Sequence, residues 1–202
     1  MSVVVAIVHN NQVFMGSDSQ ITRGSSRFTL SNPNNYKIWH IDNKNELIMG
    51  AVGKVRENNI IKTSTELIEE IDILKQKIDY VFVIRELVPR MMNELEKSKV
   101  LTKDTDSIPV FNSSYLIAYK NKLFMISPEG AVLEISDYVA IGSGASEALG
   151  NLLATEHLDP EKRIELAIKS SATNDIYVDY PIIITNTENG EFKVIYEGYD
   201  KK

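Results

Sequence analysis

Hydrophobic residues in this chain fall into short blocks with two rhythms. Residues 3–8 (VVVAIV) are apolar without a break, the pattern of a strand covered on both faces. His9-Asn10-Asn11-Gln12 is turn chemistry and residues 13–16 resume the apolar run, so a hairpin is expected. The polar stretch 22–35 reads as a loop. Residues 36–41 alternate as a strand does, Asp42-Asn43-Lys44-Asn45 is the next turn, and residues 47–51 return as its partner strand.

After Gly53 the period lengthens. Val55, Ile60, Ile61, Leu67, Ile68, Ile71 and Leu74 recur at helical spacing, as do Val81, Ile84, Leu87, Val88, Met91, Met92 and Leu95. The spacing predicts helices over 54–75 and 78–98, with Pro89 kinking the second. Residues 99–111 form a polar connector. Strands follow at 113–119, 122–127, 131–135 and 138–141, turned at Asn121 and at Pro128-Glu129-Gly130. Ile141-Gly142-Ser143-Gly144 leads into a helix over 145–157. Asp159-Pro160 starts another, with an acid at the cap and proline at the first helical position. It runs to about Ala172. A last hairpin, 182–185 with 192–196, turns at Asn189-Gly190. Runs of strands separated by helix pairs argue for an α+β layered fold and against alternating βαβ units. No linker divides two cores, so residues 1–202 are read as one domain.

Composition narrows the function classes. A net charge of -6 without a dense basic patch argues against nucleic acid as a partner. The absence of cysteine removes thiolate nucleophiles, disulfides and Cys-ligated metals, and fits a cytoplasmic location. No run of roughly 18 apolar residues is available to span a membrane, and the first residues lack the basic region and cleavage site of a signal peptide. His9, His40 and His157 have no metal-ligand spacing. "GSGASEALG" lacks the Gly-Lys-Ser/Thr ending of a phosphate loop.

The hairpins bring chemistry together. A turn at Asn10-Asn11 sets Ser2 opposite Ser19 and Val3 opposite Asp18, making Ser2 and Asp18 neighbours, since cross-strand Cβ atoms lie roughly 5 Å apart. A turn at Asn43-Lys44 sets Lys37 opposite Gly50, near the helix start at Gly53. Removal of Met1 would give Ser2 a free α-amine beside its own hydroxyl. With a pKa of roughly 7.7–8.0, that amine can take the hydroxyl proton at neutral pH. A lysine could tune it, an aspartate could hold the lysine, and N–H groups near Gly53 could receive an oxyanion. Singly, each residue has a plainer role: Ser2 a permissive second residue, Asp18 a turn residue, Lys37 an edge charge, Gly53 and Gly142/Gly144 tight turns.

Together, "SVVVAIVHNNQVFMGSDSQITRG", "YKIWHIDNKNELIMGAVG" and "YVAIGSGASEALGNLLA" resemble the proteasome β-type and HslV (ClpQ) peptidases, which are N-terminal nucleophile hydrolases. The likeness covers most of the chain in the same order. It implies a four-layer αββα sandwich and threonine/serine-type endopeptidase chemistry without a cofactor. Ser2 falls on the position of the nucleophile, Asp18 and Lys37 on its aspartate and lysine, and Gly53 on the oxyanion-hole glycine. Ser143 falls on the serine beside the nucleophile's amine, Asp175 on the acid completing that shell, and Ala51 on the lining of a pocket for the substrate side chain, which would be roomy. The resemblance also implies polypeptide substrates, homo-oligomeric rings around a chamber, and an AAA+ ATPase unfoldase that feeds it. The chain departs from the family pattern in its serine nucleophile, in Lys54 where a second glycine is expected, in an acid shifted to Glu57, and in a longer 24–36 segment. A retained Met1 would block the amine and leave a noncatalytic structural subunit; an amidase acting on a small amide is a further alternative.

Overall fold

The computed structural model describes residues 2–41, 46–68 and 78–196. In chain order, β1 (Val3–His9) and β2 (Gln12–Ser17) form the first hairpin, with Val4 opposite Ser17 and Val8 opposite Val13. This is the register expected of a turn at Asn10-Asn11, whose φ values of 46° and 65° suit a type I′ turn. Next come β3 (Gln20–Arg23), β4 (Ser26–Thr29), β5 (Ile38–His40), β6 (Leu47–Gly53) and α1 (Val55–Thr63). A short helical turn, Tyr80–Phe82, runs through a π-helical turn, Val83–Leu87, into α2 (Val88–Lys97). Then follow β7 (Thr102–Lys103), β8 (Pro109–Val110), β9 (Ser113–Tyr119), β10 (Lys122–Ile126), β11 (Val132–Ile135) and β12 (Tyr138–Gly142). The chain continues with α3 (Ala145–Ala154), α4 (Pro160–Asn174), β13 (Ile182–Asn186) and β14 (Lys193–Ile195).

Three expectations are corrected. The helix anticipated over 54–75 stops at Thr63, and Ser64 at its C-cap has extended backbone. Ile71 and Leu74, on which its longer extent rested, lie outside the described residues, as does the turn 42–45. The stretch 22–35 is not all loop: β3 and β4 form a ladder, and Pro33–Asn35 a 3-10 turn capped by the Asn32 side chain. The kink expected at Pro89 is a π turn just before it. Proline lacks an N–H, so the carbonyl one turn back loses its partner, and a wider turn absorbs the mismatch. By contrast, α4 begins as predicted: the Asp159 carboxylate accepts the Lys162 N–H at 3.0 Å, with Pro160 in the first turn.

Two five-stranded antiparallel sheets carry the molecule, ordered β12-β1-β2-β13-β14 and β11-β10-β9-β6-β5. Strand alternation sends residues to three apolar interfaces. Val3, Val5 and Ile7 of β1 pack under α3 and α4 with Ala148, Ile164 and Ile168. Val4 and Ala6 face the second sheet, meeting Ile48, Val52 and Leu116. On that sheet's other side, Leu47, Met49 and Ala51 pack with Ile61 of α1 and Met91 and Leu95 of α2. Helices, sheet, sheet, helices: this is the four-layer αββα sandwich of the N-terminal nucleophile hydrolase type. It explains why residues 3–8 are continuously apolar, since both faces of β1 are buried. Each fully buried valine or isoleucine of β1 contributes about 1.5–3 kcal/mol by leaving water, which fixes the strand ends that carry the polar residues described next. No helix among the described residues is long and apolar enough to cross a membrane.

Candidate functional site

Ser2 sits just ahead of β1 and is buried. The Ile-Gly-Ser-Gly turn after β12 clamps it. The Ser2 carbonyl accepts the Gly144 N–H at 3.4 Å and the Ser143 hydroxyl at 3.4 Å, while the Ser2 nitrogen donates to Ser143 Oγ at 3.1 Å. The close approach needs glycine at 142, which has φ 105°; a Cβ there would collide with the Ser2 carbonyl. Behind the clamp, the Ser171 hydroxyl of α4 donates to the Gly144 carbonyl at 2.7 Å.

Asp18 follows β2 and is fully buried. Its Oδ1 accepts the Val3 N–H at 3.0 Å and its Oδ2 the Gln20 N–H at 3.0 Å. Lys37 Nζ donates to both oxygens at 2.7 Å and to the Gln20 carbonyl at 2.6 Å. The carboxylate therefore fixes the start of β1 and the lysine at once. Burial pulls the Lys37 ammonium below its ordinary value, while the charges of Asp18 and then Asp175 push it back up.

The second hairpin is one residue out of the expected register. Ile38, not Lys37, stands opposite Gly50, and the Ala51 N–H donates to the Lys37 carbonyl at 2.9 Å. Trp39 stands opposite Met49 and His40 opposite Ile48, so the whole pairing is shifted by one residue. Lys37 is thus paired with Ala51, and both line one cleft with Ser2 and Gly53. The cleft has an empty volume of about 580 Å³ counted out to open solvent.

Gly53 ends β6 opposite Ser113, with φ 138°; any side chain would collide with the Asn112 carbonyl and with Ser113. Lys54, at the N-cap of α1, donates its N–H to Ser113 Oγ at 3.1 Å. Glu57, one turn in, is fully buried. It accepts the Asn112 N–H at 2.9 Å and the Tyr115 hydroxyl at 2.8 Å, tying α1 to β9 beside Gly53. Burial first, and the Glu57 charge second, hold the Tyr115 phenol far above its usual pKa.

Asp175 is the C-cap of α4. Its Oδ1 accepts the Tyr177 N–H at 2.9 Å, and its Oδ2 is buried with no hydrogen-bond partner among the described residues. It reaches the site through its charge, felt at Lys37, and through its N–H, which donates to the Ser171 carbonyl at 2.8 Å.

Among the cleft residues that the sequence reading did not name, Lys62 carries a charge. Lys62, in the last turn of α1, lines the cleft, donates to the Tyr36 carbonyl at 2.8 Å and lies 5.3 Å from the Trp39 ring centroid. Burial lowers its pKa to about 8. In sequence it is one more lysine on an amphipathic helix; only its spacing of seven from Val55, a residue bordering the cleft, could have flagged it.

Residues 2–173 match the Proteasome subunit family. The chain is 23% identical over 186 residues to the ATP-dependent protease subunit HslV of Brevibacillus brevis, covering 90% of this chain and 93% of that protein. Among solved structures it superposes on Thiobacillus denitrificans BPH in complex with epoxomicin with a TM-score of 0.72 at 17% identity, over 94% of this chain and 100% of that one. HslV from Trypanosoma brucei gives a TM-score of 0.67 at 17% identity, over 91% and 98% respectively.

Proposed function

This chain belongs to the proteasome subunit family, and from that premise we propose that it is an N-terminal nucleophile endopeptidase whose attacking group is the Ser2 hydroxyl, made active by removal of residue 1. The observation that carries the reading is the convergence of Ser2, Lys37, Ala51 and Gly53 on one cleft, with the Ser2 nitrogen hydrogen-bonded to Ser143.

Once residue 1 is gone, the Ser2 nitrogen is an α-amine with a pKa of roughly 7.7–8.0, partly neutral at pH 7. It accepts the proton of the Ser2 hydroxyl as Oγ adds to the peptide carbonyl carbon. Lys37, held by Asp18, supplies a fixed positive charge that favours the developing alkoxide. The oxyanion is met by backbone N–H at Gly53, a donor worth roughly 3 kcal/mol in the transition state. The ammonium then returns its proton to the departing amine, and the C–N bond breaks to leave an ester on Ser2. Water, activated by the same amine, hydrolyses that ester and restores the hydroxyl. Ser143, on the nitrogen, orients the amine, and Ala51 leaves room for the substrate side chain. Serine lacks the β-methyl that restricts χ1 in threonine, so Ser2→Thr is expected to speed the acylation step.

The assembly belongs to the same reading: homo-oligomeric rings enclose the clefts, and an ATP-driven unfoldase delivers polypeptides. The name of the Brevibacillus relative, a subunit of an ATP-dependent protease, supports it, as do the exposed apolar residues Val81 and Ile84 on one helical layer and Leu149 and Leu153 on the other. Intact mass and a panel of fluorogenic peptides test the chemistry. Hydrolysis that appears with loss of residue 1 and disappears in Ser2→Ala is the expected result. Full activity in Ser2→Ala would overturn the mechanism, and a permanently retained residue 1 with no hydrolysis would make the chain a noncatalytic subunit.

A further inference from the structure

The cleft holds a cation that the hydrolytic chemistry does not use. Among the described residues its lining contains two lysines and neither aspartate nor glutamate. Lys37 is paired with the buried Asp18 carboxylate. Lys62 is not: among the described residues its ammonium meets one neutral carbonyl, that of Tyr36, and the face of Trp39. Around it stand uncharged polar groups, Asn58 and Asn59 of α1 among them. Among the described residues the buried Asn58 side-chain oxygen has no hydrogen-bond partner, so this acceptor is unspent, and rotation of the amide can present its NH₂ end to an occupant.

A half-buried ammonium facing a carbonyl and a ring is compensated less well than in water, which is why burial brings Lys62 down to about 8. It is still mostly protonated at pH 7. A carboxylate entering the cleft would supply the missing counter-charge and a charge-assisted hydrogen bond, in surroundings drier than bulk water. A basic side chain would add a further cation beside Lys62 and Lys37, and an apolar one would leave the ammonium covered but unpaired.

We infer that the cleft beside Ser2 selects an acidic side chain, aspartate or glutamate, on the substrate residue whose carbonyl Ser2 attacks, with Lys62 as the specificity-determining cation. The inference rests on the peptidase reading for which carbonyl is attacked, while the preference of the cleft for a carboxylate can be measured without turnover.

Trp39 makes that measurement direct. It is the chain's only tryptophan, it lines the cleft, and it lies under Lys62, so its fluorescence reports occupancy. The Ser2→Ala protein is titrated with capped tripeptide amides ending in Glu, Gln, Leu or Lys, and the fluorogenic amides of the same peptides are offered to the unaltered protein. A Glu peptide is expected to bind at least about tenfold more tightly than its Gln isostere, the scale of one charge-assisted hydrogen bond. Lys62→Met should bring Glu down to the level of Gln with little change for Leu, and Lys62→Arg should keep the preference. Equal binding of Glu and Gln, a ratio unchanged in Lys62→Met, or no fluorescence response to any peptide up to millimolar concentration would each overturn the inference. Hydrolysis without a Glu preference leaves the peptidase reading standing and removes this one. A Glu preference in binding with no hydrolysis of any peptide does the reverse.

Discussion

Asp18 meets the amides of Val3 and Gln20 and the ammonium of Lys37 with a single carboxylate. Its loss would leave a buried cation uncompensated, so Asp18→Ala is expected to cost about 3–5 kcal/mol of stability, read as a lowered urea midpoint. Lys37 would then titrate lower still, because burial would act without its chief opponent. Lys62 gives a different test. Its ammonium is lost as pH rises through about 8, so acidic-peptide affinity should fall across that range and flatten in Lys62→Arg. Among the described residues the other titratable groups lining the cleft are Lys37, lowered by burial, Tyr36, raised by burial and by Tyr196, and, once residue 1 is removed, the α-amine of residue 2 at roughly 7.7–8.0; Lys62→Arg retains that amine, so flattening in this variant tells it apart from Lys62. The Trp39 titration repeated from pH 6 to 9.5 would check this; an affinity independent of pH would remove Lys62 as the cation. At this scale the closeness of Ser2 and Asp18 was legible because the register of the first hairpin can be counted, whereas Lys37 was placed one residue out and Ser143 was reached only through the family resemblance. Lys62 was not legible, because what distinguishes it is the identity of its neighbours, which only folding supplies.

Elements set these residues in place, and some were harder to read. The β3–β4 ladder was missed because every residue of β4 is exposed, so its pairing leaves no apolar alternation. The register of β5 against β6 was read one residue out because the hydrophobic pattern of so short a strand does not fix it. The starts of β1 and α4 were legible because a turn and a cap announce them. Between α1 and β9 the tie is Glu57, received by the Asn112 amide and the Tyr115 hydroxyl. Glu57→Gln keeps the shape and removes the charge. Tyr115 should then titrate closer to an ordinary phenol, since that charge is one cause of its elevation, and stability should fall by about 1–3 kcal/mol as a charged acceptor is lost. Ultraviolet titration and thermal melts would register the two effects.

At the scale of the whole molecule, three apolar interfaces pack the sheets against each other and against the helices, and both helical layers still expose apolar residues to which another copy could bind. Val81 on one and Leu153 on the other are exposed. If rings form, light scattering will give a mass that is a multiple of 22.8 kDa, and Val81→Asp or Leu153→Asp should shift it toward the single chain. A monomer at every concentration would separate this fold from the chamber proposed for it.

The clamp on Ser2 has a bearing on maturation. The carbonyl of that residue is gripped by Gly144 and Ser143, and the following amide by Asp18, so the grip is complete from the second residue onward. Excising what lies ahead of it would act like drawing a cork: the mouth opens, the vessel keeps its form, and the scaffold need not rearrange for the nucleophile to be born.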